Sequence, residues 1–140
     1  MDTLDGRLIA LLRDDGRASV ASLATALKIS RGTVQNRLAK LQADGTIVGF
    51  SVRLRPQVDE QRIRGLMTIE VDGNRAEVVL RGLRGDPNVA ALHSTNGRWD
   101  FVAEVRADSL QDLDRVLARI RLLEGIANTE TSLLLATHKL

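Results

Sequence analysis

The sequence predicts an α+β fold in two parts. An N-terminal helix-turn-helix domain of winged-helix-like kind is followed by a βαββαβ ferredoxin-like unit. Three observations predict it. Ser19 to Leu41, SVASLATALKISRGTVQNRLAKL, reads as two short amphipathic helices joined by a tight turn. The second half alternates strand-like and helix-like runs. The charge is split, with ten Lys/Arg against seven Asp/Glu over residues 1–63 (net +3) and ten against eleven over 64–140 (net −1). The expected boundaries are a helix-turn-helix domain over 1–46, an extended link over 47–63 and a ferredoxin-like unit over 64–140.

Leu4, Leu8, Leu11 and Leu12 define a first helix that should end near Gly16. Ser19 precedes the next apolar face, Val20, Leu23, Ala24 and Leu27, and its hydroxyl can cap the unpaired N–H groups there. Leu27-Lys28-Ile29 breaks the pattern, which asks Lys28 for a left-handed conformation at a cost on the order of 1 kcal/mol. Ser30 is a second N-cap candidate, and Val34, Leu38 and Leu41 form the next apolar stripe.

At roughly 100° per residue the opposite face of this third helix holds Gly32, Asn36, Ala39 and Lys40. Thr33 and Arg37 flank it on one side and Gln35 on the other. Small residues near the helix start let the backbone approach a groove. Asn and Gln can take adenine through two bonds, and Arg and Lys serve guanine or phosphate. The base-edge candidates are Arg31, Thr33, Gln35 and Asn36, and the phosphate candidates are Ser30, Arg37 and Lys40. The helix from Ser30 to Ala43 carries three basic residues and no acid.

Asp44-Gly45 is a stop signal, and Ile47 to Leu54 reads as a strand with a kink at Gly49, ended by Pro56. Residues 55–63, RPQVDEQRI, are a polar link. Beyond it Leu66 to Val71 is a strand, Arg75 to Leu83 a helix, and Gly85-Asp86-Pro87 a turn. Val89 to Thr95 is a strand, Asn96-Gly97 a turn and Trp99 to Arg106 a strand. Ser109 to Leu123 is a helix with Leu110, Leu113, Val116, Leu117 and Ile120 inward, and Ile126 to Ala136 is the last strand. The two helices cover one sheet face, and a second subunit is the natural cover for the other.

Composition narrows the function classes. The apolar fraction, 44%, supports compact cores, but each half alone is marginal, so partner subunits fit. With no Cys, disulfides and thiolate metal sites are excluded. His93 and His138 lack a nearby His or Cys, so no metal or other cofactor is expected. No apolar run approaches the roughly 18 residues of a membrane span. The start, MDTLDGRLIALL, is acidic from its second residue and does not read as a signal peptide, so a cytoplasmic place is expected. There is no Walker-type phosphate loop, no His-Glu-x-x-His, and no nucleophile–base arrangement, so no enzyme is expected.

LDGRLIALLRDDGRAS, ISRGTVQNRLAKLQADGTIVGF, NGRWDFVAEV and NTETSLLLATHK, in this order and at these separations, resemble the Lrp/AsnC family of leucine-responsive, feast–famine transcription regulators. The resemblance covers nearly the whole chain. It implies an N-terminal DNA-binding domain and a C-terminal βαββαβ sensing domain. It implies dimers paired through their sheets, further assembly up to octamers, and amino acids bound between sensing domains of neighbouring dimers. It points to a Gly-x-x-Asp turn at the ligand cleft, here Gly97-Arg98-Trp99-Asp100. Gly97 would expose backbone N–H groups to a carboxylate, and Asp100 would accept an α-ammonium group. Thr129 and Thr131, two apart on the last strand, would share a face and offer hydroxyls.

Asn-Gly is equally a plain hairpin pair, Thr is a common strand residue, and Trp99 suits a core or interface. Three residues depart from the family pattern. Arg98 stands where an acid is frequent, Trp99 where Tyr or Phe is usual, and Lys28 where Gly is frequent. Arg98 can hold a ligand carboxylate or pair with a neighbour's acid. The reading is a sequence-specific regulator of double-stranded operator DNA, homo-oligomeric, whose assembly or DNA binding responds to a small effector, an amino acid. The rivals are an effector-independent, nucleoid-type architectural DNA binder and an amino-acid-sensing enzyme subunit.

Overall fold

The computed structural model describes residues 1–55, 58 and 63–139. The chain forms two compact units, Met1–Arg53 and Leu54–Leu140. The first unit is three helices, α1 (Thr3–Asp14), α2 (Val20–Leu27) and α3 (Arg31–Ala43). Each begins on a side-chain cap. Asp2 caps α1 and Asp5 returns the bond, a reciprocal capping box. Ser19 Oγ accepts from Ser22 N at 3.0 Å, and Ser30 Oγ accepts from Thr33 N at 3.1 Å.

The turn between α2 and α3 is made by Lys28, at φ 57° and ψ 45°, the non-glycine residue with left-handed backbone expected from the sequence. Its geometry lets Ile29 N donate back to Ala24 O at 3.1 Å and closes α2. Leu8, Leu23, Ala24, Leu27, Val34 and Leu41 form the buried core, with Leu4, Leu11, Leu12 and Leu38 packed around it. This is the apolar stripe read from the spacing.

Beyond α3 the structure differs from expectation. Residues 47–55 join no ladder. A strand exists through its partner's backbone bonds, and this segment pairs with no strand among the described residues. Ile47 packs on the core of the first unit, but from there on the segment is open, with Val48 97% and Val52 82% exposed. The polar link expected over 55–63 lies, at positions 56, 57 and 59–62, outside the described residues.

The second unit carries β1 (Ile63–Val71), α4 (Ala76–Arg84), β2 (Val89–Ser94), β3 (Phe101–Ala107), α5 (Leu110–Arg121) and β4 (Ile126–Leu133). The sheet is antiparallel throughout, in the order β2-β3-β1-β4, which is the βαββαβ arrangement expected. Met67, Ile69, Phe101, Ala103, Val105 and Ala107 face α4 and α5 through Val79, Leu83, Leu113, Val116 and Ile120. The alternate residues, Leu66, Thr68, Val102 and Glu104 among them, lie on the opposite face, where Leu66 is 40% exposed. Leu110, expected inward, is exposed at the first turn of α5.

Two tight joints set the ends of the sheet. Gly125 takes φ +100°, and a Cβ there would stand 2.5 Å from Arg75 Cβ, so only glycine lets the chain enter β4 beside α4. Arg119 on α5 forks onto Asp86 with two bonds of 2.9 Å and reaches Asn88 Oδ1 at 3.0 Å. This pairing holds the Arg119 guanidinium even more firmly protonated than usual.

Candidate nucleic-acid interface and effector turn

Helix α3 presents Arg31, Gly32, Gln35, Asn36, Ala39 and Lys40 to solvent. Val34 and Leu41 are anchored in the core, so the helix cannot turn this face away without losing its packing. Arg31, Gln35, Asn36 and Lys40 have no side-chain hydrogen-bond partner among the described residues. Their bonding groups are turned outward, and Gly32 and Ala39 keep the surface between them low.

Three of the sequence candidates are used inside the unit. The Ser30 hydroxyl accepts from Thr33 N and lies 2.8 Å from Thr33 Oγ1, so both hydroxyls serve the start of α3. Thr33 is half-buried. Arg37, expected on phosphate, donates instead to Asp2 Oδ2 at 2.5 Å and Asp5 Oδ1 at 3.2 Å. This guanidinium, and then the Asp5 backbone N–H, hold the Asp2 carboxyl at about 2, and the same bonds raise Arg37 above its ordinary value. Asp2 and Asp5 were missed in the sequence. The signal for them was Asp-x-x-Asp just before an apolar run, the spacing of a capping box.

The effector candidates split in the same way. Residues 95–100 form a six-residue connection, and β3 begins at Phe101 rather than Trp99. Gly97 does not take left-handed backbone, and its N–H donates to Thr95 Oγ1 at 3.2 Å. The expected tight two-residue turn with an open N–H is replaced by a loop closed on Thr95, whose hydroxyl also donates to Trp99 O. Thr95 too went unnoticed in the sequence, since its role depends on the loop's path.

Asp100 extends the β1–β3 ladder. Its N–H donates to Ile69 O at 2.9 Å, its carbonyl accepts from Thr95 N at 3.1 Å, and its Oδ2 accepts from Val71 N at 2.8 Å. Its Oδ1 has no partner among the described residues. The Arg98 guanidinium lies 4.6 Å from the centre of the Trp99 ring, a cation–π contact on the outside of the loop.

Thr129 and Thr131 do share a face, but they lie opposite Ile69 and Met67. Opposed residues of an antiparallel pair point the same way, so both threonines face the helix-covered side. Thr131 Oγ1 is buried there without a hydrogen-bond partner among the described residues. Among the described residues no group of three His, Asp or Glu could hold a metal ion, and no helix is long and apolar enough to cross a membrane.

Comparison with known proteins agrees with both units. Residues 1–42 match the AsnC-type helix-turn-helix domain, and residues 65–140 match the Lrp/AsnC ligand binding domain. An uncharacterized HTH-type transcriptional regulator of Pyrococcus furiosus is 30% identical over 140 residues, covering 99% of this chain and 95% of its own length. The leucine response regulatory protein of Mycobacterium tuberculosis superposes with a TM-score of 0.84 at 26% identity, over 99% of this chain and 95% of that one. A transcriptional regulator of Neisseria meningitidis, solved as an L-Met complex, gives a TM-score of 0.85 at 18% identity, over 99% and 92%. The chain therefore belongs to the Lrp/AsnC family and is a transcriptional regulator, not an enzyme, with a DNA-binding helix-turn-helix domain and a ligand-binding domain.

Proposed function

We propose that the protein reads a specific operator in double-stranded DNA as a homo-oligomer, and that an amino acid bound at the sensing units changes its assembly or DNA binding. The observation that carries the reading is the exposed, unpartnered set of Arg31, Gln35, Asn36 and Lys40 on one side of α3. Asn36 and Gln35 sit where an adenine edge would meet them, Arg31 serves guanine, and Lys40 serves a phosphate. Thr33 and Ser30 contribute by fixing the helix start.

Pairing supports the oligomer. The sheet face away from α4 and α5 exposes Leu66, and the uncovered segment 47–55 carries Val48, Phe50 and Val52 at alternate positions. A second copy would cover both, as a dimer with two-fold symmetry. Half-sites would then lie about 34–36 Å apart or at multiples of that. The sensing reading rests on the loop of Gly97, Arg98, Trp99 and Asp100. Asp100 Oδ1 would take an α-ammonium group, and Arg98, swung off Trp99, a carboxylate. Two relatives point the same way by name, one leucine-responsive and one solved with L-Met. Thr129 and Thr131 enter only by shaping the sheet behind the loop.

The test is selection of duplexes from a random-sequence pool by the purified protein, with Asn36→Ala alongside. An enriched motif that the variant no longer distinguishes supports the reading. Binding with no enriched motif would favour an architectural DNA binder. A thermal-shift panel of amino acids tests the effector, since a ligand at about 100 times its Kd stabilises by roughly 2.7 kcal/mol. No shift with any amino acid would remove that half of the proposal.

A further inference from the structure

We infer that Arg37 is a positioning residue that sets the rotation of the DNA-reading helix through Asp2 and Asp5, and is not a phosphate contact. The inference rests on α3 being the reading helix and adds to that reading a device that aims it.

The three side chains form a closed ring. Arg37 Nη1 bonds Asp2 Oδ2 and Asp5 Oδ1. Asp2 Oδ1 accepts from Asp5 N at 2.9 Å, and Asp2 N donates to Asp5 Oδ2 at 3.3 Å. Both carboxylates are thus fixed by the capping box of α1 before Arg37 reaches them. Asp5 is only 4% exposed, the one charged residue in the first unit's buried set. A carboxylate so placed needs its cation, and the cation comes from the middle of α3. The start of α1 and the centre of α3, 32 and 35 positions apart, are joined by charge-assisted bonds.

Electrostatics weighs against the simpler role. The ring holds two carboxylates and one guanidinium, so its sum is −1. A phosphate approaching Arg37 would meet two carboxylates already accepting from its Nη1.

Geometry supplies the positioning role. Arg37 lies between the buried stripe of Val34 and Leu41 and the outward face of Asn36 and Lys40. The apolar stripe of Val34 and Leu41 fixes which side of α3 faces out, and charge-assisted bonds at its edge add a restraint that depends on direction as well as distance. A fixed ion pair at the edge of the stripe opposes rotation in both directions. With side-chain tips about 5–6 Å from the axis, a 10° rotation moves Asn36 by about 1 Å. A two-bond contact to a base does not survive such a displacement, since sites of this kind hold to about 0.5 Å.

Duplexes selected by the wild-type protein from a random pool, and a scrambled duplex of equal length, are titrated by fluorescence anisotropy over a series of salt concentrations. Wild type, Arg37→Gln, Asp2→Asn, the double variant and Lys40→Ala are compared. Arg37→Gln should lose tenfold or more on the selected duplex and less than threefold on the scrambled one, with its salt slope unchanged. Lys40→Ala should lower the slope by about 0.9 and weaken both duplexes alike. Asp2→Asn should repeat the Arg37→Gln pattern more weakly and add nothing in the double variant. Asp2 is exposed and Asn keeps an N-cap acceptor, so this variant reads the linkage even if Arg37→Gln unfolds the unit. A slope lowered by about 0.9 in Arg37→Gln, with equal loss on both duplexes, would make Arg37 a phosphate contact and overturn the inference. Additive losses in the double variant would overturn it as well. A wild-type protein that enriches no motif would overturn the reading helix itself, a result distinct from either.

Discussion

Helix α3 and strand β4 were both assigned binding residues from side-chain spacing, and they met different fates. On α3 the polar set of Arg31, Gln35, Asn36 and Lys40 stays on the surface, as the spacing required. On β4 Thr129 and Thr131 share a face, as the spacing also required, but that face is the one packed under the helices. The difference lies in what each periodicity encodes. A helix with one apolar stripe states which side is out, because the stripe and its complement are both in the local sequence. A strand states only that there are two sides. Which side is covered depends on the register with its neighbour, here Met67 and Ile69 opposite the two threonines.

The comparison can be broken most sharply at Val34. Placing a charge there, Val34→Asp, puts an unpaired carboxylate where the side chain is fully buried, at a cost of more than about 3 kcal/mol. Far-UV circular dichroism under urea should show the first unit melting early. A variant that stays folded would mean that α3 can rotate, and its outward face would no longer follow from the stripe.

The β4 half of the comparison is tested by Thr131→Val. With Thr131 Oγ1 buried and unpartnered among the described residues, a methyl in its place should stabilise the second unit by about 1 kcal/mol, read from the denaturation midpoint. A loss of stability, or a protected hydroxyl bond, would place that side chain on a polar surface instead. Lys28→Gly should raise the midpoint of the first unit by somewhat less, up to about 1 kcal/mol, because glycine takes the left-handed turn without the Cβ clash. Destabilisation would show that the Lys28 side chain contributes more than its backbone strain costs.

Acid supplies the mildest probe. The Asp2 carboxyl is held at about 2, below its unfolded value of about 3.9, by Arg37 and the Asp5 backbone N–H. The unfolded chain therefore takes up the proton first as pH falls. The stabilisation is full above about pH 4 and is lost as pH drops through the folded value. The difference in melting temperature between wild type and Asp2→Asn should be constant from pH 8 to 5 and close between about pH 4 and 2. A difference that instead changed between pH 5 and 8 would assign the pair's energetics to another group.

These tests also show where the sequence was readable. The Ser19 and Ser30 caps, the Lys28 turn, the apolar stripes of the helices and the βαββαβ order were legible, because each is written in residues close together along the chain. The Arg37 ion pair was not legible because its partners lie 32 and 35 positions away, and an arginine beside a polar helix face looks the same with or without them. Gly97 was expected to open a tight turn. The loop closes instead on the Thr95 hydroxyl and on a carboxylate that reaches from Asp100 to Val71. The segment 47–55 was legible as strand-like in pattern, yet it makes no ladder, since backbone bonds need a neighbour and none of the described residues supplies one.

The sequence by itself determined the two-part α+β architecture, the capped helix α3 and the residues that helix turns outward. Local periodicity and capping are short-range properties, fixed within a few turns of chain. The tertiary structure alone decided which charges are spent internally, which face of β4 is covered and how the loop at Gly97 closes. Those depend on register and on pairs distant in sequence, and burial in one place is settled only by what packs there from another.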